Sequence, residues 1–263
     1  MAGSTRRTFA LGLLGLVGGL AAWFTKNSII RWALGWVHND GLQLTAAPAP
    51  GEDVCVLTSS QTEGPFFISS PVRRNIKEDR RGKDLTLRIQ IVRMPECTPL
   101  AGAMVEIWQC DADGAYSGYP EDIGHDPWKT MRLAGTGDAN VAPLTAARFL
   151  RGAQPTDATG VVEFATIFPG WYEPRSPHIH FKVLVDGIES LTSQFYFTEE
   201  FCNRIYLHVS PYTAYGSSPY TPAKDIAISG HLEAHGLLLN PIWSDDAPLL
   251  ASARVGMQKS ASS

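Results

Sequence analysis

The stretch Phe168-Pro169-Gly170-Trp171-Tyr172-Glu173-Pro174-Arg175-Ser176-Pro177-His178-Ile179-His180-Phe181 constrains this chain more than any other. It gathers one tyrosine, one arginine and two histidines between prolines and glycine. His178-Ile179-His180 runs into Phe181-Lys182-Val183-Leu184-Val185, an apolar, β-branched run that predicts a strand. Side chains alternate across a strand, so His178 and His180 share one face. Two imidazoles fixed on one face form half of a metal site. Pro174 and Pro177 stiffen the approach, and Gly170 is expected to permit a tight bend before Tyr172. Tyr172 lies six residues before His178, so a bent loop brings its phenol back toward the imidazoles.

The neighbouring patterns are also those of strands. Leu85-Thr86-Leu87-Arg88-Ile89-Gln90-Ile91-Val92 alternates apolar and polar residues. Ala103–Cys110 and Val161–Ile167 read the same way. Asp186-Gly187 is a hairpin signal between His178–Val185 and a returning strand at Leu191–Phe197. Residues 51–84 and 120–147 read as irregular, and the tail from 212 to 263 has no clear pattern. Short strands separated by turns, with few helical patterns, predict an all-β fold, an antiparallel β-sandwich with long loops. Eighteen prolines and 24 glycines suit that reading.

The formal charge of −4, with no basic run, argues against nucleic acid as a partner. Thr5-Arg6-Arg7-Thr8-Phe9 precedes an apolar, glycine-rich run of 16 residues from Phe9 to Phe24. A paired arginine before such a run predicts a twin-arginine export signal, and so a periplasmic or extracellular protein. An ordinary secretory signal and an N-terminal membrane anchor are the alternatives. Ser28–Val37 reads as an interfacial helix that stays attached if the signal is not cleaved. Residues 1–47 are therefore assigned to signal and linker, and 48–263 to one domain. Cys55, Cys97, Cys110 and Cys202 do not match a zinc module, and an even count in an oxidising compartment permits two disulfides.

Seven histidines are present. His231 and His235 are spaced i, i+4, but Leu232 stands where the zinc-protease pattern needs glutamate. His38, His125 and His208 are isolated. The Asp-rich turn at Asp111-Ala112-Asp113-Gly114 fails the calcium-loop pattern, since Tyr116 and Asp122 occupy its sixth and twelfth positions. A His-x-His pair alone also occurs in strands for packing. Tyr172 and Arg175 beside it strengthen the metal reading, and no serine triad or phosphate loop competes. A centre of imidazole and phenolate selects Fe(III), because phenolate is a hard anionic donor that only a strongly charged ion deprotonates readily.

Several motifs in order, from Cys55 to Phe197, carry a family resemblance. They are Thr62-Glu63-Gly64-Pro65-Phe66-Phe67, Val105-Glu106-Ile107-Trp108-Gln109-Cys110-Asp111-Ala112-Asp113-Gly114-Ala115-Tyr116, Phe149-Leu150-Arg151-Gly152, Thr156-Asp157-Ala158-Thr159-Gly160, Pro169-Gly170-Trp171-Tyr172 and Arg175-Ser176-Pro177-His178-Ile179-His180. The chain resembles the intradiol ring-cleavage dioxygenases of the catechol and protocatechuate 3,4-dioxygenase type, and most closely their exported bacterial relatives. The resemblance implies that Tyr116, Tyr172, His178 and His180 bind one Fe(III). Tyr172 corresponds to the tyrosine that leaves when substrate arrives, Arg175 to the active-site arginine and Gln194 to a glutamine near the substrate. Tyr119 is a rival for Tyr116 that fits the motif less well. Taken alone, Arg175 also reads as a surface partner of Glu173 or another acid.

The implied reaction inserts both atoms of O2 into a catechol-type diol and breaks the bond between the hydroxylated carbons, giving a muconate-type diacid. Two other readings remain open at this point. One is an exported, metal-free β-sandwich binding module. The other is a zinc-dependent hydrolase using His178 and His180. The sequence leaves the particular catechol and the oligomeric state open.

Overall fold

The computed structural model describes residues 55–119, 142–225, 227–228, 232 and 235–258. The expected export signal, linker and interfacial helix lie outside these residues. So do His38, His125, His231 and most of the loop expected at 120–147.

Strand β1 (Asp84–Arg93) buries Leu85, Leu87, Ile89 and Ile91 and exposes Arg88, as its alternation predicts. It pairs antiparallel with the short β2 (Thr98–Pro99). Next come β3 (Met104–Trp108) and β4 (Arg151–Pro155), an antiparallel pair. Strand β5 (Val161–Ile167) has the bounds expected from its pattern and pairs antiparallel with β1. Strands β6 (His178–Val185) and β7 (Ile188–Phe197) form the expected hairpin. Asp186 and Gly187 both take positive φ, 52° and 77°, which a two-residue turn of the type favoured by strand twist requires. Helix α1 (Glu199–His208) follows, then β8 (Leu238–Leu239) and β9 (Leu249–Met257).

Two sheets result. One has the order β2-β1-β5, with β9 also paired to β1; the other runs β4-β3-β6-β7-β8. A single apolar cluster joins them, drawing on Leu87 and Ile89 of β1, Val105 and Ile107 of β3, Phe164 of β5, Phe181 of β6 and Phe195 of β7. This is the sandwich that the strand patterns predict. It is not purely antiparallel: β9 lies parallel to β1 along nine residue pairs, and β8 parallel to β7.

Three of the longer elements depart from the expected pattern. Strand β4, Arg-Gly-Ala-Gln-Pro, has no apolar alternation because its face holds a buried arginine. Strand β9 is rich in small residues, and its burial is imposed by β1. Helix α1 starts at Thr198, whose hydroxyl accepts from the Phe201 N–H, and carries Glu199 and Glu200 in its first turn. It buries Phe201, Cys202, Ile205 and Tyr206.

One disulfide forms, Cys55–Cys97, tying the start of the described domain to the β1–β2 turn. Cys110 and Cys202 are free and buried, so the second bridge that the even count permitted is not made.

Candidate metal centre

Strand β6 has two buried faces. Ile179, Phe181 and Val183 enter the core between the sheets. His178, His180 and Lys182 alternate with them and point to the other side, as the sequence requires. Register places four side chains in one row across the sheet: Arg151 of β4 opposite Trp108 of β3, Trp108 opposite His180, and His180 opposite Gln194 of β7. The Trp108 ring stacks on His180, with centroids 4.8 Å apart and planes 5° from parallel.

Residues 61–67 cover this face. Gln61 N–H donates to the Thr192 carbonyl at 2.9 Å, and the Gln194 amide donates to the Thr62 carbonyl at 2.6 Å. Lys182 pairs with Glu63 and lies 3.8 Å from the centroid of Phe67. Phe66 stacks on Tyr116 at 4.7 Å. These contacts explain why a sheet face carrying histidine, lysine and glutamine is almost dry.

The two tyrosines come from loops that cross with backbones in contact. The Gly170 N–H donates to the Asp111 carbonyl at 2.9 Å. A Cβ on Gly170 would sit 2.5 Å from that oxygen and 2.6 Å from the Ala112 oxygen. Gly170 does not adopt the left-handed region, so the sequence-based reason for this glycine is corrected. It is needed for the close crossing of two chains rather than for a bend. Gly114 needs both freedoms, with φ +82° and its hypothetical Cβ 2.5 Å from the Trp171 oxygen.

This crossing brings the four expected donors together. Tyr116 Oη and Tyr172 Oη each lie 3.3 Å from His178 Nε2, and His180 Nε2 lies 2.9 Å from it. Tyr116 thus meets His178 together with Tyr172. Tyr119, its rival, sits edge-on to Phe66 at 5.0 Å. His178 Nδ1 donates to the Ser176 carbonyl at 2.6 Å, which leaves the Nε2 lone pair facing the two phenols. Protein groups alone cannot satisfy this arrangement. If His180 donates from Nε2, its buried Nδ1 lone pair is left without a partner; if it carries the proton on Nδ1, that donor is orphaned and two lone pairs face each other. A cation that takes both Nε2 lone pairs relieves their mutual repulsion, so the donor set fits a metal ion.

The electrostatics suit the same occupant. Burial holds both imidazoles well below their ordinary pKa, helped by the Arg175 charge at His178 and by His178, then Arg175 and Arg151, at His180. They are neutral and able to ligate. Burial pushes the Tyr116 phenol well above its usual range, and the neighbouring Tyr172 adds to the rise. Tyr172 is pushed up to about 12 by burial, which the Arg175 charge partly offsets. Neither phenol ionises near neutrality without a strong Lewis acid.

Arg175 lies beside the centre, buried rather than on the surface. Its Nε donates to both Asp225 oxygens, at 2.8 and 3.1 Å, and its Nη2 donates to Gln194 Oε1 and, at 3.1 Å, to Tyr196 Oη. The acid that pairs with Arg175 is Asp225, not Glu173. Asp225 also accepts from the backbone N–H groups of Ser176 and Ala227, at 2.7 and 2.8 Å. Sequence reasoning missed Asp225, which lies 50 residues downstream in a stretch without pattern. It also missed Tyr196, whose hydroxyl donates to Gln61 Oε1 at 2.8 Å and whose position two residues after Gln194 was a usable signal. Gln194 bridges Arg175 and the covering segment, so its surroundings are those of the site.

The remaining candidates lie elsewhere. His208 is exposed, and His235 Nδ1 is 3.2 Å from the Leu57 oxygen. In the Asp111 turn the carboxylate accepts from Asp113 and Ala115 N–H and pairs with Arg80 at 3.6 Å.

A family model described as Dioxygenase matches residues 63–205. Among curated relatives, chlorocatechol 1,2-dioxygenase of Pseudomonas sp. (strain P51) is 31% identical over 139 residues, 51% of this chain and 53% of that protein. The chain spans about half the length of the curated relatives it matches first. Among solved structures, an intradiol ring-cleavage dioxygenase from Tetranychus urticae superposes with a TM-score of 0.67 at 31% identity, covering 80% of this chain and 98% of that one. The dioxygenase domain of a dioxygenase carbohydrate-binding protein fusion from Streptomyces sp. SirexAA-E gives 0.50 at 25% identity, covering 78% and 99%. With the family match over more than half of its length, a fold that superposes on these structures, and paired phenols and imidazoles at one point, the chain belongs to the intradiol ring-cleavage dioxygenase family.

Proposed function

We propose that this protein is a non-haem Fe(III)-dependent intradiol dioxygenase. It inserts both atoms of O2 into a catechol-type aromatic diol and yields a muconate-type diacid. One observation carries the reading: two phenol oxygens and two imidazole nitrogens converge, with Tyr116 Oη, Tyr172 Oη and His180 Nε2 within 3.3 Å of His178 Nε2. Tyr116, Tyr172, His178 and His180 would hold the ion. Bound there, ferric iron supplies Lewis acidity and a template for the diol oxygens.

The protein's own groups account for the rest. The imidazoles stay neutral because they are buried beside Arg175. Tyr172 sits on a loop, and its phenol oxygen would be the base that takes one diol proton when substrate binds. Arg175, fixed by Asp225, Gln194 and Tyr196, sets a permanent positive charge against the negative charge that develops on the ring. Phe66 and residues 61–67 keep water from the centre. The twin-arginine motif at Arg6-Arg7 supports export of the folded protein to the periplasm or beyond, in cleaved or anchored form.

The test is oxygen uptake against a panel of catechols, with mass analysis of the products. Cleavage between the hydroxylated carbons with both oxygen atoms retained is expected. Cleavage beside the hydroxyls, or no uptake by iron-replete protein across the panel, refutes the reading.

A further inference from the structure

Arg151 is the least explained side chain near the centre. It has no exposed surface and is among the largest fully buried residues. Its Nε donates to Ser117 Oγ at 2.7 Å and its Nη2 to the Ser117 carbonyl at 3.0 Å. Its Cζ lies 6.0 Å from the centroid of the Tyr116 ring. Nη1 is buried without a hydrogen-bond partner. Among the described residues Arg151 forms no ion pair with a carboxylate, whereas the other buried arginine, Arg175, is paired to Asp225. Its charge is met only through space, by the Tyr119 and Tyr116 phenols and by Glu106, and burying a guanidinium without a direct ion pair costs several kcal/mol.

The two phenols are held differently. Tyr116 belongs to a loop rather than a strand, and residues 116–119 form a turn closed by the Tyr119 N–H on the Tyr116 carbonyl at 3.2 Å. The Arg151 fork grips the residue immediately after Tyr116 and ties that turn to β4 of the sheet. Phe66 stacks nearly parallel on the same ring, 26° between planes. Tyr172 meets Phe66 only edge-on at 6.0 Å, and its segment is fixed through the Arg175 N–H on its carbonyl at 2.8 Å. Two bonds from a rigid, fully buried fork therefore stand behind Tyr116, and none of that kind stands behind Tyr172.

We propose that Arg151 is the positioning residue that makes Tyr116 the resident phenol of the centre. It acts by clamping Ser117 and by placing a guanidinium that has no ion pair among the described residues beside the Tyr116 ring, where a phenolate that stays bound through turnover is a favourable neighbour. The inference rests on the metal reading proposed above. It adds to that reading a physical reason why one of two chemically identical donors is permanent and the other is free to leave.

Ser117→Ala removes one acceptor of the fork, and Arg151→Lys keeps the charge but not the fork. Both are compared with the full-length, iron-loaded wild type by chelator competition, visible absorption and thermal melting. Outer contacts of metal ligands typically change affinity by about 10–100-fold, and a loss in that range with a shifted absorption band is expected in both variants. In a Tyr116→Phe background the same substitutions should add little, because their effect passes through that phenol. Arg151→Met tests the charge; should it fail to fold, Ser117→Ala still decides. Folded Ser117→Ala and Arg151→Lys proteins with wild-type iron affinity and band position overturn the assignment. If that happens while wild type is coloured and cleaves catechols, only the role of Arg151 falls. A colourless iron-replete wild type sinks this inference and the metal reading together.

Discussion

The Arg175 guanidinium and the Asp225 carboxylate form an ion pair with both side chains inside the protein, Nε to Oδ1 at 2.8 Å. The same carboxylate accepts from the Ser176 N–H, and the Ser176 carbonyl accepts from His178 Nδ1. Asp225 thus steadies the arginine and, through one residue, a histidine. Breaking a buried pair by removing one partner typically costs about 3–5 kcal/mol. Asp225→Ala should lose stability in that range by denaturant unfolding. Asp225→Asn keeps the shape, should lose less, and should lower kcat through a loosened Arg175. Wild-type stability and turnover in both variants would contradict the clamp.

Tyr172→Phe tests the phenol at the centre. Iron-loaded wild type should be reddish from phenolate-to-iron charge transfer. The variant should keep its fold and change colour, because one of two phenolates is gone. A spectrum identical to wild type removes Tyr172 from the centre.

Gly170→Ala places a methyl 2.5 Å from the Asp111 carbonyl and 2.6 Å from that of Ala112. Both neighbours are backbone, which cannot swing aside. Overpacking of this kind costs about 1–3 kcal/mol. The loops must also part, so the separation of Tyr116 and Tyr172 grows. Melting temperature and iron content should fall together. Gly187→Ala, a glycine with open space around it but positive φ, should reduce stability and leave iron content unchanged.

The buried histidines predict an acid dependence for the metal-free protein. Their pKa values lie below the unfolded value of about 6.5, so the unfolded chain takes up protons first as pH falls. Stability from this source is present above about pH 6.5 and is lost as pH falls from there toward the folded values. Denaturant unfolding between pH 7.5 and 5 should show this slope. A His178→Asn/His180→Asn variant should show a shallower one, and equal slopes would refute the assignment.

The cysteines give a chemical count. Native protein should expose no reactive thiol, because Cys110 and Cys202 are buried and burial raises both thiol pKa values. Unfolding should release two, and unfolding with reduction four. Breaking Cys55–Cys97, which spans a sequence separation of 42, should cost about 4 kcal/mol on the chain-entropy account. Three or four thiols before reduction would deny the bridge.

Local rules determined much of this protein. Alternation and apolar, β-branched runs give β1, β5 and β6, and the two-residue period of a strand puts His178 and His180 on one face whatever lies around them. Asp186-Gly187 gives the hairpin, because few other residue pairs accept positive φ twice. The motif order points to Tyr116, Tyr172 and Arg175. Tertiary structure decided what depends on distance through space. It selected Asp225 as the acid for Arg175, drew β9 into parallel register on β1, left Cys110 and Cys202 unpaired, and converted Gly170 from a supposed bend into a crossing point. It also buried Arg151 in a strand with no apolar pattern. Spacing along a chain specifies which face a side chain takes, within a turn or a strand. It carries no information about which of many distant carboxylates, thiols or carbonyls will arrive there, because that is set by how two sheets and their loops pack.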